Sequence, residues 1–473
     1  MCDDPTAALF ARAAALAADY RESLAVGPQR PAHDYKAALA AFAGPTPETG
    51  QPAQEVIEDL ARRATPGLHA VTGDRFFGWV MGASHPVGVA ADMLTSGWGQ
   101  NAGNHLAAPA TAAAEAVVAG WLLDILALPA EAGVGFVTGA SVANTVALAA
   151  ARQELLWRLG YDLAKEGQFG APPIRVLLGR EAHATVLSAL RYLGFGEAQL
   201  QRVATDDEGA MLPDAFEAAL HAARDCPALI VVTQAGQINT GAFDPHATLL
   251  PMARRHPNVW VHVDGAFGLW ARATPKHRHL TAGVGQADSW ATDGHKWLQL
   301  PFDNGFAIVR DKAAHARALT TAASYLPTGD AADRDPSHYV PELSRRARGF
   351  AAFAMLRHLG RAGIASMVER HCTLARAMAA RLAAEPGITV LNEVVLNQVA
   401  VRFGGAGPSV LADEATRQTI ALLQAQGQCF AGGARWRDRW IMRLSLISFP
   451  ISAASIARSA DAIIAAWREV RAG

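Results

Sequence analysis

Short apolar segments alternate with helical segments through the middle of this chain, and this alternation restricts the fold more than any other feature. Six segments rich in Val, Ile, Leu, Phe and Trp are predicted strands, namely 134–138, 175–178, 228–233, 258–263, 287–291 and 305–309. Helical sequences such as 141–159 and 183–194 separate several of them. Continuous apolar strands interleaved with helices indicate a mostly parallel sheet covered on both faces. We therefore predict an α/β fold with a ligand site at the carboxyl ends of the strands.

The 473 residues divide into four predicted parts. Residues 1–75 are Ala-rich with a helical period and are expected to form an N-terminal arm. Residues 76–320 are the predicted large domain, and the polar, Asp- and Pro-rich segment 321–345 is a predicted mobile loop over a functional site. Residues 346–473 combine long helical sequences with strand candidates at 388–391, 398–403 and 440–446, which predicts a small C-terminal α+β domain.

Composition argues against several functional classes. The net charge is −1, so charge gives no reason to expect a nucleic acid or an anionic membrane as partner. No uninterrupted apolar stretch reaches about 18 residues, and the acidic start lacks a basic n-region, so we predict a cytoplasmic protein without a membrane segment. The cysteines are far apart in the sequence, and neither a disulfide framework nor a metal site is expected for Cys2, Cys226, Cys372 and Cys429.

Two segments at predicted strand ends are suited to hold a flat, phosphorylated ligand. The turn TGASVANT (138–145) opens a helix, and its small residues let backbone N–H groups approach an anion at a helix N-terminus. The alternative is an ordinary tight turn with Ser141 as the helix cap. His183 follows the strand 175–178 and could stack on a heteroaromatic ring, or it could be a capping or surface histidine.

Two further residues supply a carboxylate and an amine. Asp264 closes an apolar strand, where a buried charge is costly unless it is paired. Pairing with a pyridinium N–H would let a cofactor ring accept electrons from a breaking bond, and Ala266 is small enough to lie under that ring. The alternative is an aspartate that caps the following turn. Lys296, in DGHKW, could form an imine through its amine, or it could be a solvated surface lysine.

The combination of these four features is more informative than any one of them. Phosphate turn, stacking histidine, strand-end carboxylate and lysine occur in that order, and the last two are 296 − 264 = 32 residues apart. Together they supply every part of a site for pyridoxal 5′-phosphate at one end of one sheet. We therefore predict that Lys296 holds this cofactor as a Schiff base and that the chain acts on an amino acid.

The same stretches resemble the pyridoxal-phosphate-dependent group II decarboxylases, which include aromatic-L-amino-acid and glutamate decarboxylases. The resemblance covers about 55–470 and is carried by segments such as FFGWVMGASHP (76–86), GFVTGASVANTVALAAAR (135–152), VHVDGAFG (261–268) and DGHKWLQLPFDNG (293–305). It implies fold type I, as in aspartate aminotransferase, with a mostly parallel seven-stranded sheet. It also implies a homodimer with shared active sites and decarboxylation of an L-amino acid to its amine and CO₂.

The resemblance further implies roles for individual residues. Lys296, Asp264 and His183 are the implied catalytic residues, as Schiff-base lysine, partner of the pyridine nitrogen and stacking residue. The full implied cofactor set is Lys296, Asp264, Ala266, His183, Ala140, Ser141, Asn239 and His295. The candidate substrate residues are Trp79, Trp98, Asn101, His105, Tyr325, Tyr339 and Arg443.

One departure from the family leaves the outcome of the reaction open. Relatives that decarboxylate aromatic amino acids carry a loop tyrosine that protonates Cα, and Pro336 stands at the matching position here. Tyr325, His338 or Tyr339 could take that role. If none does, an aldehyde synthase or an aldolase-type carbon–carbon lyase is the alternative, and a catalytically inactive cofactor-binding partner protein is a third hypothesis.

The sequence also leaves open which kind of substrate side chain the site accepts. A wall that is apolar in aromatic-specific relatives contains Asn101, Gly103 and His105 in this chain. Trp79 and Trp98 still offer aromatic surface. A polar or mixed substrate is therefore as compatible with the sequence as tyrosine or tryptophan.

Overall fold

The computed structural model describes residues 6–320, 334–407 and 409–472. The α-helices are α1 (Thr6–Ser23), α2 (Tyr35–Phe42), α3 (Ala53–Ala64), α4 (Pro86–Trp98), α5 (Pro109–Ile125), α6 (Ala140–Arg158), α7 (Leu163–Glu166), α8 (Ala184–Tyr192), α9 (Pro213–Ala222), α10 (His246–Ala253), α11 (Lys312–Leu319), α12 (Arg348–Ala383), α13 (Val410–Gln426) and α14 (Ala453–Ala472). Among the described residues, no helix combines the length and the apolarity needed to cross a membrane.

The strands fall into two sheets. They are β1 (Gly133–Val137), β2 (Ile174–Gly179), β3 (Leu200–Val203), β4 (Ala228–Gln234), β5 (Val259–Asp264), β6 (Ser289–Asp293), β7 (Gly305–Val309), β8 (Ile388–Val390), β9 (Gln398–Phe403), β10 (Gly432–Trp436) and β11 (Arg439–Ser445). The first seven form one sheet and the last four form another.

The chain groups into two compact units. The larger unit comprises Gly82–Arg376 and Asn392–Val399. The smaller unit comprises Met1–Met81, Ala377–Leu391 and Ala400–Gly473, so that α1, α2 and α3 belong with most of the small sheet. The four-part division expected from the sequence stays a prediction.

The large sheet has the strand order β1-β7-β6-β5-β4-β2-β3. Neighbouring strands from β6 to β3 pair in parallel, whereas β7 runs antiparallel to both β1 and β6. The predicted α/β class with a mostly parallel seven-stranded sheet is thereby confirmed. In this arrangement the carboxyl ends of β1, β4, β5 and β6 lie at the same edge of the sheet.

The small sheet has the order β10-β11-β9-β8, and it provides the smaller antiparallel part of the predicted fold class. Arg437 and Asp438 connect β10 to β11, and both have left-handed φ angles, of 46° and 61°. Two residues with positive φ form the hairpin turn whose twist matches that of the flanking strands. Helix α13 packs against β11 and against α14.

A buried polar network ties β5 to its neighbours. Trp260 Nε1 donates a hydrogen bond of 2.9 Å to Ser289 Oγ on β6, and His262 Nδ1 lies 2.9 Å from the same oxygen. On its other side, His262 Nε2 lies 2.8 Å from Asn144 Oδ1 on α6. Burial lowers the pKa of His262 to about 3, so the ring is neutral near pH 7. Since side chains alternate along a strand, Trp260 and His262 share a face with Asp264.

Close backbone packing joins β7 to the turn before α6. A Cβ atom at Gly305 would lie 2.5 Å from Gly139 Cα and 2.8 Å from its carbonyl carbon. Backbone atoms cannot move aside as the end of a flexible side chain can, so this position requires glycine. The contact fixes the start of α6 against the sheet.

We expect Gly305→Ala to destabilise the protein, because an extra methyl group would overlap backbone atoms, at a cost of about 1–3 kcal/mol. Chemical denaturation measures this loss. The matched control is Gly44→Ala, at an exposed loop glycine where a Cβ meets no atom within 4 Å. This control should gain about 0.4–1 kcal/mol, since alanine restricts the unfolded chain more than glycine does. Equal stability of the two variants would contradict the close packing at Gly305.

Candidate active site

A cavity of about 280 Å³ lies at the carboxyl ends of the strands in the larger unit. It is close to the lower end of the size range of ligand sites, about 300–1,000 Å³. The residues that line it are Thr138, Gly139, Ala140, Ser141, His183, Thr185, Gln234, Gly236, Ile238, Asp264, Ala266, Phe267, Asp293, His295 and Lys296. The phosphate turn, histidine, carboxylate and lysine that are scattered along the sequence therefore share one cavity.

One end of the cavity is formed by the start of α6. Gly139 precedes the helix, and Ala140 and Ser141 are its first residues. The first N–H groups of an α-helix lack partners within the helix, and the helix dipole favours negative charge there. Ala140 N–H donates a hydrogen bond of 2.5 Å to Asp293 Oδ1. A Cβ at Gly139 would lie 2.9 Å from His295 Cε1, so glycine permits this close approach.

Lys296 is paired with a carboxylate that the sequence analysis did not select. Its Nζ lies 2.9 Å from Asp293 Oδ2, and the Asp293 side chain is 3% exposed. Asp293 closes the buried strand β6, just as Asp264 closes β5. The same signal, a carboxylate at the end of an apolar strand, could have identified it.

Asp264 is buried at the end of β5, where Ala266 N–H donates a hydrogen bond of 3.2 Å to its Oδ1. Burial raises the pKa of the Asp264 carboxyl, and positive charge on His183 and Lys296 opposes this rise. The negative charge of Asp293 adds to it. A buried carboxylate in such surroundings is suited to pair with a protonated ring nitrogen.

His183 is both a helix cap and a wall of the cavity. It precedes α8, and its Nδ1 accepts a hydrogen bond of 3.3 Å from Thr185 N–H and lies 2.8 Å from Thr185 Oγ1. These bonds hold the imidazole ring in place. The capping role considered from the sequence therefore coexists with a position beside the ligand space.

His295 lies in the cavity, whereas Asn239 is not one of its lining residues. Burial lowers the pKa of His295, and its Nδ1 accepts a hydrogen bond of 3.2 Å from Asn304 N–H. Asn239 is buried, and its backbone N–H donates to Gln237 Oε1 at 2.5 Å. From that segment, Gln234, Gly236 and Ile238 reach the cavity instead.

The described candidate substrate residues of the larger unit are not among the residues that line the cavity. Trp98 ends α4 and packs edge-on against Phe350, with ring centroids 5.2 Å apart. Asn101 Oδ1 accepts a hydrogen bond of 2.9 Å from Arg345 N–H. The ring of His105 is held through its Nδ1, which lies 2.8 Å from Asp335 Oδ1.

Tyr339 ends the short 3₁₀ helix Pro336–Tyr339. The Arg334 guanidinium lies over its ring, 4.2 Å from the centroid, and the His315 ring packs against its edge at 5.2 Å. His338 Nε2 is 4.0 Å from an oxygen of Asp335. Tyr325 lies outside the described residues.

The two remaining candidates, Trp79 and Arg443, belong to the smaller unit. Trp79 has a φ of 51° and stacks with Phe76 and Phe430, at centroid distances of 6.0 and 5.6 Å. Arg443 is buried on β11, and burial lowers the pKa of its guanidinium.

Comparison with known proteins identifies the family. The model of the pyridoxal-dependent decarboxylase conserved domain matches residues 37–403. The chain belongs to this family. The predicted family, the predicted pyridoxal phosphate cofactor and the predicted reaction class, decarboxylation of an amino acid, are thereby confirmed.

Individual relatives agree with this assignment. The chain is 26% identical over 412 residues to an aromatic-L-amino-acid decarboxylase of Bacillus atrophaeus, covering 85% of this chain and 83% of the relative. It is 26% identical over 343 residues to tyrosine decarboxylase 2 of Narcissus pseudonarcissus, covering 70% and 67%. The crystal structure of Oryza sativa TDC with PLP and tryptamine has the same fold, with a TM-score of 0.90 at 23% identity over 99% of both chains.

The donor set of the cavity fits pyridoxal phosphate. The start of α6 offers backbone N–H groups for a phosphate. The carboxylate of Asp264 offers an anion for the ring nitrogen. Lys296 supplies a primary amine for the aldehyde. Ala266 and His183 offer one small and one flat surface.

We expect Asp264→Asn to reduce kcat/KM by about 10²–10³-fold, because a neutral amide cannot stabilise a proton on the ring nitrogen. The folded protein should be at least as stable, since burial disfavours the carboxylate that this change removes. Initial rates and thermal unfolding measure the two effects. Asp225→Asn, at an 87% exposed side chain, is the control and should change neither. Near-normal activity of Asp264→Asn would contradict the pairing with the ring.

Proposed function

We propose that this chain decarboxylates an L-amino acid to the amine and CO₂, with Lys296, Asp264 and His183 carrying the reaction. The observation that supports this most directly is their convergence in one cavity at the strand ends, beside the start of α6. When bound, pyridoxal phosphate supplies an electron sink for the electrons of the breaking Cα–carboxylate bond.

Asp264 would keep the electron sink effective. Its carboxylate sits at the end of a buried strand, where burial raises its pKa and makes the charged form costly. A cationic N–H in contact with this carboxylate relieves that cost, and in return the carboxylate stabilises the proton on the ring. Because β5 is held by the Trp260 and His262 hydrogen bonds, the carboxylate is positioned before any ligand arrives.

Lys296 and His183 would hold the reacting groups in position. The amine of Lys296 lies in the cavity and can anchor the cofactor aldehyde. The imidazole of His183 is fixed by Thr185, so it can lie flat against one side of the ligand without losing further rotamer freedom. With Ala266 on the wall as well, these side chains also keep water away from the reacting carbon.

Aromatic L-amino acids are the first substrates that we propose. The two relatives described above are, by name, decarboxylases of aromatic amino acids or tyrosine. In the sequence, the polar residues Asn101 and His105 were the reason to consider a polar substrate. In the structure Asn101 bonds to Arg345 and His105 to Asp335, so these polar atoms already have partners within the chain.

An aldehyde-forming or aldolase-type lyase reaction is the second candidate. Pro336 has no ionisable group that could protonate Cα, and it is buried in its 3₁₀ turn. Tyr339 is held between Arg334 and His315. These two observations are the reason for keeping an outcome other than protonation at Cα as the second candidate, with His338 and Tyr325 the other possible proton donors.

Incubating the cofactor-loaded protein with a panel of L-amino acids should release equal amounts of CO₂ and amine, fastest with an aromatic member. Lys296→Ala should abolish turnover and covalent labelling by borohydride, while Lys312→Ala, at an exposed lysine, should retain both. Aldehyde with ammonia or peroxide as product would favour the second candidate. Bound cofactor without any turnover across the panel would favour the inactive partner protein.

We also propose that the chain forms a homodimer with shared active sites. Large apolar side chains are exposed on helices of the larger unit, as expected of an interface rather than a water-facing surface. They include Met93, Leu94 and Trp98 on α4, Val117 on α5 and Phe353 on α12.

Light scattering of the purified protein should give twice the mass of one chain. Leu94→Asp should shift the population towards the single-chain mass, because a charge would be buried in the interface. Leu94 is 53% exposed in the single chain, and Leu411→Asp on α13, at an 82% exposed leucine, is the matched control. A single-chain mass for the unmodified protein would contradict the homodimer.

A further inference from the structure

The carboxylate of Asp293 is the charged centre of the cavity, and the proposed reaction gives it no role. Three nitrogen atoms surround its two oxygens. Lys296 Nζ lies 2.9 Å from Oδ2, Ala140 N–H donates to Oδ1 at 2.5 Å, and His295 Nε2 lies 3.4 Å from Oδ1.

His295 presents a neutral N–H to this carboxylate. Its Nδ1 accepts a hydrogen bond from Asn304 N–H, so the proton of the neutral ring is on Nε2, which faces Asp293. Burial lowers the pKa of His295, with the charge of Asp293 acting in the opposite direction. The ring therefore adds a donor to the Asp293 site without adding a full charge.

The bond from Ala140 occupies the anion-binding end of the cavity. Ala140 N–H is the first donor of α6, the group that a phosphate at this helix end would use. One N–H cannot make a full hydrogen bond to two anions in the same direction. The carboxylate of Asp293 therefore stands in the position of an anionic ligand.

The charges of the cavity also indicate that Asp293 opposes the binding of a phosphate. Among its lining residues, Lys296 is the one lysine or arginine, while Asp264 and Asp293 are both carboxylates. A phosphate that enters brings further negative charge close to Asp293, and such repulsion is strong in a buried site. Lys296, moreover, must leave its carboxylate partner before its amine can react.

We propose that Asp293 is an internal anion that holds the start of α6 and the Lys296 amine in the cofactor-free protein, and that a phosphorylated ligand must displace it in order to bind. The inference rests on the proposed function, because it identifies that ligand as pyridoxal phosphate. Asp293 is a positioning residue in this scheme. It stabilises the cofactor-free cavity and limits the affinity for the cofactor.

The test measures binding in a background that cannot capture the cofactor covalently. In Lys296→Ala protein, adding Asp293→Asn should lower the Kd for pyridoxal phosphate and for inorganic phosphate about ten- to a hundredfold, the range of one charge-assisted hydrogen bond. Equilibrium dialysis measures both constants. The matched control is Asp311→Asn, which makes the same change where a carboxylate caps α11 away from the cavity lining, and its constants should not change.

A second variant at the same position, Asp293→Ser, controls for hydrolysis of the introduced asparagine and for misfolding. Because the amide introduced before Gly294 can hydrolyse back to a carboxylate, Asp293→Ser should be measured alongside and should tighten both ligands as well. In the chain that retains Lys296, each variant should lower the melting temperature without cofactor and enlarge the increase that pyridoxal phosphate produces.

Unchanged or weaker binding of both ligands in the two Asp293 variants would overturn the inference. That result differs from failure of the proposed function, in which the unmodified chain neither binds pyridoxal phosphate nor is labelled at Lys296. The inorganic phosphate measurement needs no cofactor chemistry, so it tests the role of Asp293 in either case.

Discussion

Two carboxylates, Asp264 and Asp293, close adjacent parallel strands, and the burial of charge at this edge is the constraint on which the site depends. A buried carboxylate is costly unless donors or cations meet it. Because β5 and β6 pair in parallel, both carboxylates come within reach of Lys296. The lysine is thus held by the same charges that make the cavity suitable for a cationic ring.

The surrounding fold fixes these groups through neutral contacts. His262 is uncharged and links α6 to β5 and β6, while the contact between Gly139 and Gly305 sets the start of α6 against β7. Both contacts lie within the protein itself. A site built on rigid strands and a helix start therefore holds its charges in fixed positions, which is the basis of electrostatic preorganisation.

Much of the fold could be predicted because buried parallel strands are continuous apolar runs. The six predicted strands of the large sheet agree with β1, β2, β4, β5, β6 and β7 to within about two residues. The prediction missed β3, whose sequence LQRV is polar and partly exposed because it lies at the sheet edge. It also missed β10, which begins with two glycines and has a single buried residue, Trp436.

The sequence by itself determined the α/β class, the family and the four elements that line the cavity, because these depend on local patterns: apolar runs, a small-residue turn and strand-end polar residues. Only the tertiary structure decided how those elements meet. Asp293 and Ala140 are 153 residues apart, and no local pattern reports that the end of β6 reaches the start of α6. The partners of Asn101 and His105 likewise come from residues more than 200 positions away. Hydrogen bonds and charge pairs of this kind depend on distances of a few ångströms, which folding sets and sequence spacing does not.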